Sequence, residues 1–255
     1  MAPDLQTKLR IAGQFSRAAP RYDQIAQVQW QIALDALNKV QRVPGTLLDI
    51  GAGTGRVTTR LRDKADKVLA LDIAEGMARF AQNTHGLSAL VADAENLPLQ
   101  QSSIDGVFSC MALQWCRPMD KVLAELRRVM KPKAKALLVL MVDGSLNELH
   151  SSWHSLGLSG RANDFDQLQT LTELAEKQGF SVQTEKKVYR TWHPHLLDTL
   201  HSIKDVGASV VLDDGGPGLT RAQFKALAMT YAEHYQNPQG QLPLSYHIGF
   251  LELTK

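Results

Sequence analysis

Short apolar runs and amphipathic stretches take turns along residues 46–141. Segments 46–50, 67–71, 88–91, 104–110 and 134–141 have the length and aliphatic content of buried strands, the last being strongly apolar. Segments 56–64, 74–83 and 120–130 lie between them and space their apolar residues as helices do. This alternation predicts an α/β fold with a doubly wound, mostly parallel sheet and helices on both faces. Upstream, 5–19 reads as a short amphipathic helix stopped at Pro20, and 22–40 as a second helix with Ile25, Val28, Ile32 and Leu37 on one side. Pro44-Gly45 punctuates its end. Downstream the alternation loosens. Helices are expected at 147–157 and 166–178, the latter stopped by Gly179, followed by an exposed strand at 181–192. Helices at 194–208 and 220–234 flank a Gly/Pro/Asp-rich loop at 213–218, and 244–253 supplies a seventh strand. Segment 194–234 therefore reads as a helical lid inserted between the last two strands. One domain is expected: residues 1–43 as a helical cover, 44–142 as the binding core, and 143–255 as the remaining strands with the lid.

Composition narrows the function classes. The chain has 255 residues, 44% of them hydrophobic and 21% charged, as expected of a globular protein able to bury its own core. A formal net charge of +2 gives little general attraction to nucleic acid or anionic membrane, so neither is expected as a partner. No apolar run approaches the roughly 18 residues of a spanning helix, and residues 1–11 lack the apolar core of a signal peptide. A cytoplasmic protein is expected. Cys110 and Cys116 suggest neither a disulfide framework nor a metal knuckle. His193 and His195 flank Pro194 without a neighbouring carboxylate or third histidine, so a helix-entry turn is expected there and no metal.

The segment Leu47-Leu48-Asp49-Ile50-Gly51-Ala52-Gly53-Thr54-Gly55-Arg56 carries the most chemistry. A buried strand enters a glycine loop and a helix leaves it, so backbone N–H groups can approach a ligand closely. The spacing is G-x-G-x-G, not the G-x-G-x-x-G of the nicotinamide fingerprint. Asp49, just before the loop, is placed to meet a cationic group. Asp72 ends the next predicted strand and can accept both hydroxyls of a ribose; Asp93 follows the third and can accept an exocyclic amine. Three acids at the carboxyl ends of successive strands line the crevice where open α/β sheets bind ligands.

This constellation resembles the class I S-adenosylmethionine-dependent methyltransferases over residues 46–141, through Asp49–Gly55, Asp72, Asp93 and Ile104-Asp105-Gly106-Val107. The resemblance implies a Rossmann-like seven-stranded sheet. It also implies that Gly51 and Gly53 face the methionyl part of the cofactor, with Gly55 completing the loop. Asp72 would hold the ribose, Asp93-Ala94 the adenine, and Ile73 and Met77 the ring faces. The family often has Lys-Pro-Gly-Gly before its fifth strand, where this chain has Lys131-Pro132-Lys133-Ala134. Four further segments, Phe15…Tyr22-Asp23, Leu113-Gln114-Trp115-Cys116, Ile203-Lys204-Asp205-Val206-Gly207-Ala208 and Leu242-Pro243-Leu244-Ser245-Tyr246, are similar to the malonyl-acyl-carrier-protein O-methyltransferases of biotin synthesis.

That resemblance implies methyl transfer from S-adenosylmethionine to the free carboxylate of a malonyl thioester on acyl carrier protein or CoA, leaving S-adenosylhomocysteine. The alternative is another small-molecule O- or C-methyltransferase, of quinone type or acting on a dicarboxylic acid. A malonyl carboxylate, with a pKa near or below about 4 by analogy with Asp, is already a nucleophile at neutral pH. No general base is then required, and alignment and desolvation can supply much of the rate. Tyr22, Gln114 and Trp115 are the expected positioning residues. Arg17, Arg21, Arg190 and Lys204 are the candidates for binding the carboxylate, arginine being suited by its two-pronged donor geometry. The basic run Arg127, Arg128, Lys131, Lys133 and Lys135 leads into the far end of the fifth strand, so it reads as a solvated face. A dock for an acidic carrier is expected around the lid, with Lys186, Lys187, Arg190 and Lys204.

Overall fold

The computed structural model describes residues 5–158, 164–206 and 219–255. The predicted loop at 213–218 and positions 207–208 lie outside the described residues. Seven strands form one sheet in the order β3-β2-β1-β4-β5-β7-β6: β1 Val43–Ile50, β2 Ala65–Asp72, β3 Ala89–Val91, β4 Ile104–Cys110, β5 Met130–Met141, β6 Ser181–His193 and β7 Leu242–Thr254. The first five pair in parallel, and β7 runs antiparallel to both β5 and β6. This is the doubly wound, mostly parallel seven-stranded sheet expected. Successive strand residues face opposite sides, as the pleat requires. Leu48, Val107, Leu138 and Leu140 join one apolar cluster, while Leu47, Phe108, Leu137 and Val139 join the other. Both faces are thus covered, which explains the near-continuous apolar runs of the central strands. Strand β6 lies at the sheet edge with mostly exposed side chains, in accord with its alternating sequence.

Helices α1 Leu5–Ile25 and α2 Gln27–Lys39 precede the sheet. The expected stop at Pro20 is wrong: α1 runs through it, and Tyr22 lies in its last turn rather than at the start of α2. A proline in a helix interior costs roughly 3 kcal/mol through the lost hydrogen bond and a clash. Tertiary contacts outweigh that cost. Ser16 presses against α4 Glu75–His85 where Gly76 has no side chain, its hydroxyl accepting the Gly76 N–H at 3.1 Å, and Ala19 is buried against Ala74 and Met77. The break comes at Ala26, whose N–H still bonds the Tyr22 carbonyl at 2.9 Å.

Helix α3, Arg56–Leu61, ends in a 3-10 turn, Arg62–Lys64. Then follow α5 Met119–Val129, α6 Asn147–Ser155, α7 Leu168–Lys177, α8 Leu196–Asp205 and α9 Arg221–Tyr235. Helix α8 begins after His195, as the helix-entry reading of His193-Pro194-His195 expects. Helices α8 and α9 fall between β6 and β7 in sequence; Leu227 and Tyr231 of α9 are fully buried, and α8 packs against β6, β7 and α1. Two strands begin earlier than predicted. Pro44-Gly45 sits inside β1 and Lys131–Ala134 inside β5, each beside a register shift in the ladder. Among the described residues no helix is long and apolar enough to cross a membrane.

Candidate active site

The carboxyl ends of β1, β2 and β4 open into a cavity roofed by α1 and α2. Its floor is the glycine loop. The Gly51 and Ala52 N–H groups donate to the Leu71 carbonyl at 2.7 and 3.0 Å, tying the loop to β2. Gly53 has φ +56° and faces open space: a β-carbon there would meet nothing within 4 Å. Gly55 has φ +83° and a different duty. A β-carbon on it would come within 2.4 Å of Leu87 Cδ1 and 2.9 Å of Ala81 Cβ, so its bareness serves helix packing. Gly51 backs onto Ala112, in the segment after β4.

The three acids of the sequence reading meet three different environments. Asp49 is 2% exposed and does not line the cavity; its Oδ2 accepts the Thr58 hydroxyl at 2.6 Å behind the loop. Burial pushes its carboxyl up to about 7, against the opposing Thr58 hydrogen bond and with Asp72 adding repulsion. Asp72 does line the cavity. Its Oδ2 accepts the Gly53 N–H and its Oδ1 the Ala74 N–H, both at 2.8 Å. Burial raises its pKa, while these N–H groups and that of Ile73 pull the other way. Asp93 lines the far end, where Lys8 Nζ lies 2.7 Å from both Asp93 Oδ2 and Glu95 Oε2. Burial alone would lower the Lys8 pKa; the two carboxylates outweigh it and hold the ammonium above its usual range. Ile73, Met77 and Ala94 also line the cavity.

The roof comes from α1 through Lys8, Ile11, Phe15, Tyr22 and Asp23, and from α2 through Gln29, Trp30 and Ala33. Asp23 Oδ1 accepts the Thr54 hydroxyl at 2.7 Å, which clamps α1 onto the glycine loop. Burial, reinforced by the Cys110, Asp72 and Asp23 groups, pushes the Tyr22 phenol well above its usual range. Trp115 lines the cavity in a 3-10 turn, edge-on to Phe15 with ring centroids 5.8 Å apart. Its neighbour Gln114 does not; its Nε2 donates to the Met111 carbonyl at 2.9 Å.

The four basic candidates for the carboxylate are absent from the described lining. Arg17 and Arg21 are exposed on α1, and Lys204 is exposed on α8. Arg190 Nε donates to Ser245 Oγ at 3.0 Å on the β6–β7 pair. Sequence reasoning missed Arg56 and Lys8, both on the cavity. Arg56 follows the glycine loop directly, and that adjacency was the available signal. Lys8 meets Asp93 across 85 residues of sequence, and no local pattern announces that pairing. Of the lysines expected at a dock, Lys186 is engaged with Asp143 at 3.1 Å and Lys187 with Glu185 at 3.6 Å.

A glycine loop under a ribose-ready acid, in a 3-2-1-4-5-7-6 sheet, is the architecture of a class I S-adenosylmethionine-dependent methyltransferase. A family model described as methyltransferase domain matches residues 48–138. The fold is shared with a Haemonchus contortus phosphoethanolamine N-methyltransferase, solved with S-adenosylhomocysteine, at 20% identity and TM-score 0.56, over 89% of this chain and 52% of that one. The chain belongs to the malonyl-acyl-carrier-protein O-methyltransferase family: it is 33% identical to the Serratia marcescens member across 98% of its own length and 96% of that protein. It is also 35% identical to the biotin biosynthesis bifunctional protein BioHC of Cellvibrio japonicus, over 97% of this chain and 50% of that protein. The chain thus spans about half the length of the bifunctional relatives it matches.

Proposed function

We propose that the chain methylates the free carboxylate of a malonyl thioester carried by acyl carrier protein. The observation that carries it is the chemistry of the cavity wall. The described lining holds no histidine; burial pushes Tyr22 and Cys110 far up and Cys116 up to about 12, and the four lining carboxylates are engaged, Asp23 by the Thr54 hydroxyl, Asp72 by backbone N–H groups, and Asp93 and Glu95 by Lys8. A phenol or carbon acid would want a base there. A carboxylate acceptor arrives ionised and needs none.

The cavity suits S-adenosylmethionine. Gly53 leaves open space beside Asp72, whose oxygens keep lone pairs for the ribose hydroxyls, and Ile73, Met77, Ile11 and Phe15 offer apolar faces for adenine. Ala94 and Asp93 would sit at the adenine edge, and Gly51 with Gly53 beneath the methionyl chain. When bound, this cofactor supplies an electrophilic methyl group on a sulfonium. The chain's own residues align and dry the acceptor: α1 and α2 exclude water, and Tyr22 and Trp115 wall the space beside the loop.

The carrier is read from the outer face of α1. Arg10, Arg17 and Arg21 are exposed on one stripe of the helix, turned away from Ile11, Phe15 and Tyr22. An acidic carrier protein docked there would stand over the cavity roof. On this reading residues 1–43 cover, 44–142 bind cofactor, and 143–255 complete one domain. The test is methyl transfer from labelled S-adenosylmethionine to malonyl-acyl carrier protein, beside acetyl-acyl carrier protein, malonyl-CoA and free malonate. Label on the malonyl thioesters alone is expected. No transfer, with cofactor binding intact, would redirect the search to quinone-type or free diacid acceptors.

A further inference from the structure

Arg56 has an unusual setting for a residue facing a binding cavity. It opens α3 directly after the glycine loop, and its guanidinium carbon lies 3.8 Å from the centroid of the Trp30 ring. Nη1 donates to the Asp23 carbonyl at 3.1 Å. The Asp23 carboxylate is turned elsewhere, to the Thr54 hydroxyl. Two cations line the cavity among the described residues, Lys8 and Arg56. Lys8 is neutralised by Asp93 and Glu95; among the described residues no carboxylate lies within ion-pair distance of Arg56.

A guanidinium is charged at every accessible pH and carries five N–H donors in a rigid fork. Stacking on an indole and one carbonyl bond fix that fork before any ligand arrives, so little freedom remains to be lost on binding. The geometry leaves most of its donors for a planar acceptor with two oxygens. Gln29, next to Trp30, adds a cavity-lining amide whose Oε1 is buried without a partner, an acceptor suited to a neighbouring ammonium or hydroxyl.

We propose that Arg56, braced by Trp30, is the carboxylate receptor of the cavity, whereas the sequence alone points to Arg17, Arg21, Arg190 or Lys204 for the malonyl carboxylate. Resting on the function proposed above, two ligands bring a carboxylate here: the methionyl tail of the cofactor and the malonyl group. The test uses the full chain with Arg56→Met, which keeps an unbranched apolar stem, and Arg56→Lys, which keeps charge without the fork. Calorimetry measures S-adenosylhomocysteine and 5′-methylthioadenosine, which lacks the amino-acid tail; steady-state kinetics measure the malonyl thioester. If Arg56 holds the methionyl carboxylate, Arg56→Met weakens S-adenosylhomocysteine roughly ten- to hundredfold and leaves methylthioadenosine unchanged. If it holds the malonyl carboxylate, both nucleosides bind as before, and KM for the malonyl thioester rises by the same factor with a smaller change in kcat. Arg56→Lys should fall between wild type and Arg56→Met in the affected arm. The proposal is overturned if all three ligands are unaffected, or if methylthioadenosine weakens in step with S-adenosylhomocysteine. The nucleoside arms need no turnover, so they judge Arg56 even if the malonyl thioester proves not to be the acceptor.

Discussion

The two ends of the sheet use the same side chain in opposite ways. At the carboxyl ends, Asp49 and Asp72 are buried against neutral donors, a threonine hydroxyl and backbone N–H groups, and burial raises both pKa values. At the amino ends, Asp66 pairs with Arg42 at 2.8 Å and Asp105 with Lys131 at 2.7 Å. Asp105 also accepts the Thr46 N–H at 2.8 Å, and although burial pushes its pKa up, these partners hold it below the usual carboxylate range. One end staples strands together. The other keeps carboxylates that destabilise the folded chain when ionised, as sites built for a ligand commonly do.

The largest effect that would break this comparison is on cofactor affinity. Asp72→Ala should weaken S-adenosylhomocysteine about 100-fold by calorimetry, from the loss of charge-assisted bonds to the ribose. The KM of the malonyl thioester should move far less. Unchanged nucleoside affinity would remove Asp72 from the ribose site.

The pH dependence of stability sharpens the contrast. Asp49 has a folded pKa of about 7, against an unfolded value of about 4. Between those values the folded chain binds more protons than the unfolded one, so stability falls as pH rises and levels off above 7. Asp72 contributes with the same sign. In urea melts, Asp49→Asn should recover roughly 2 kcal/mol of the wild-type loss between pH 5 and 8. An equal slope in wild type and variant would mean that Asp49 does not titrate in that window. Asp105 has the opposite sign: its lowered pKa contributes stability above about pH 4 that is lost on acidification. Asp105→Ala should cost about 1 kcal/mol at pH 7, leave S-adenosylhomocysteine affinity unchanged, and flatten the acid limb of the melt.

How much of this was legible in the sequence follows from the same contrast. Strand-end position is a local property, so the alternation of apolar runs placed the glycine loop, Asp72 and Asp93 on one crevice. Side-chain direction across long sequence separations is not local. Asp49 turns behind the loop to Thr58, Lys8 reaches Asp93 from α1, and Arg17 and Arg21 face out because α1 continues through Pro20 and presents Phe15 and Tyr22 inward. Pro20 does not end α1 because the packing of Ser16 on Gly76, sixty residues away, outweighs the local propensity of proline.

The smallest effect tests the ends of the sheet by backbone alone. Lys133 stands at φ +65°, exposed, with its N–H donating to the Lys255 carbonyl at 2.9 Å. A left-handed conformation costs an L-residue roughly 1–2 kcal/mol, and a glycine there keeps the N–H bond while giving back part of the gain through its freer unfolded chain. Lys133→Gly should therefore raise stability by about 0.5 kcal/mol, a Tm gain of roughly 1–2 °C, with cofactor affinity unchanged. Met111 has nearly the same backbone, φ +57°, at the site end, with its N–H donating to the Val139 carbonyl at 2.7 Å. Its side chain lines the cavity. Met111→Gly relieves the same strain but removes cavity wall, so any gain in Tm should come with weaker S-adenosylhomocysteine binding. Parallel behaviour of the two glycine variants would show that strain at the two ends is interchangeable. Divergence in the nucleoside titration, with similar shifts in the melt, would show that the site end retains its strained residue for the ligand.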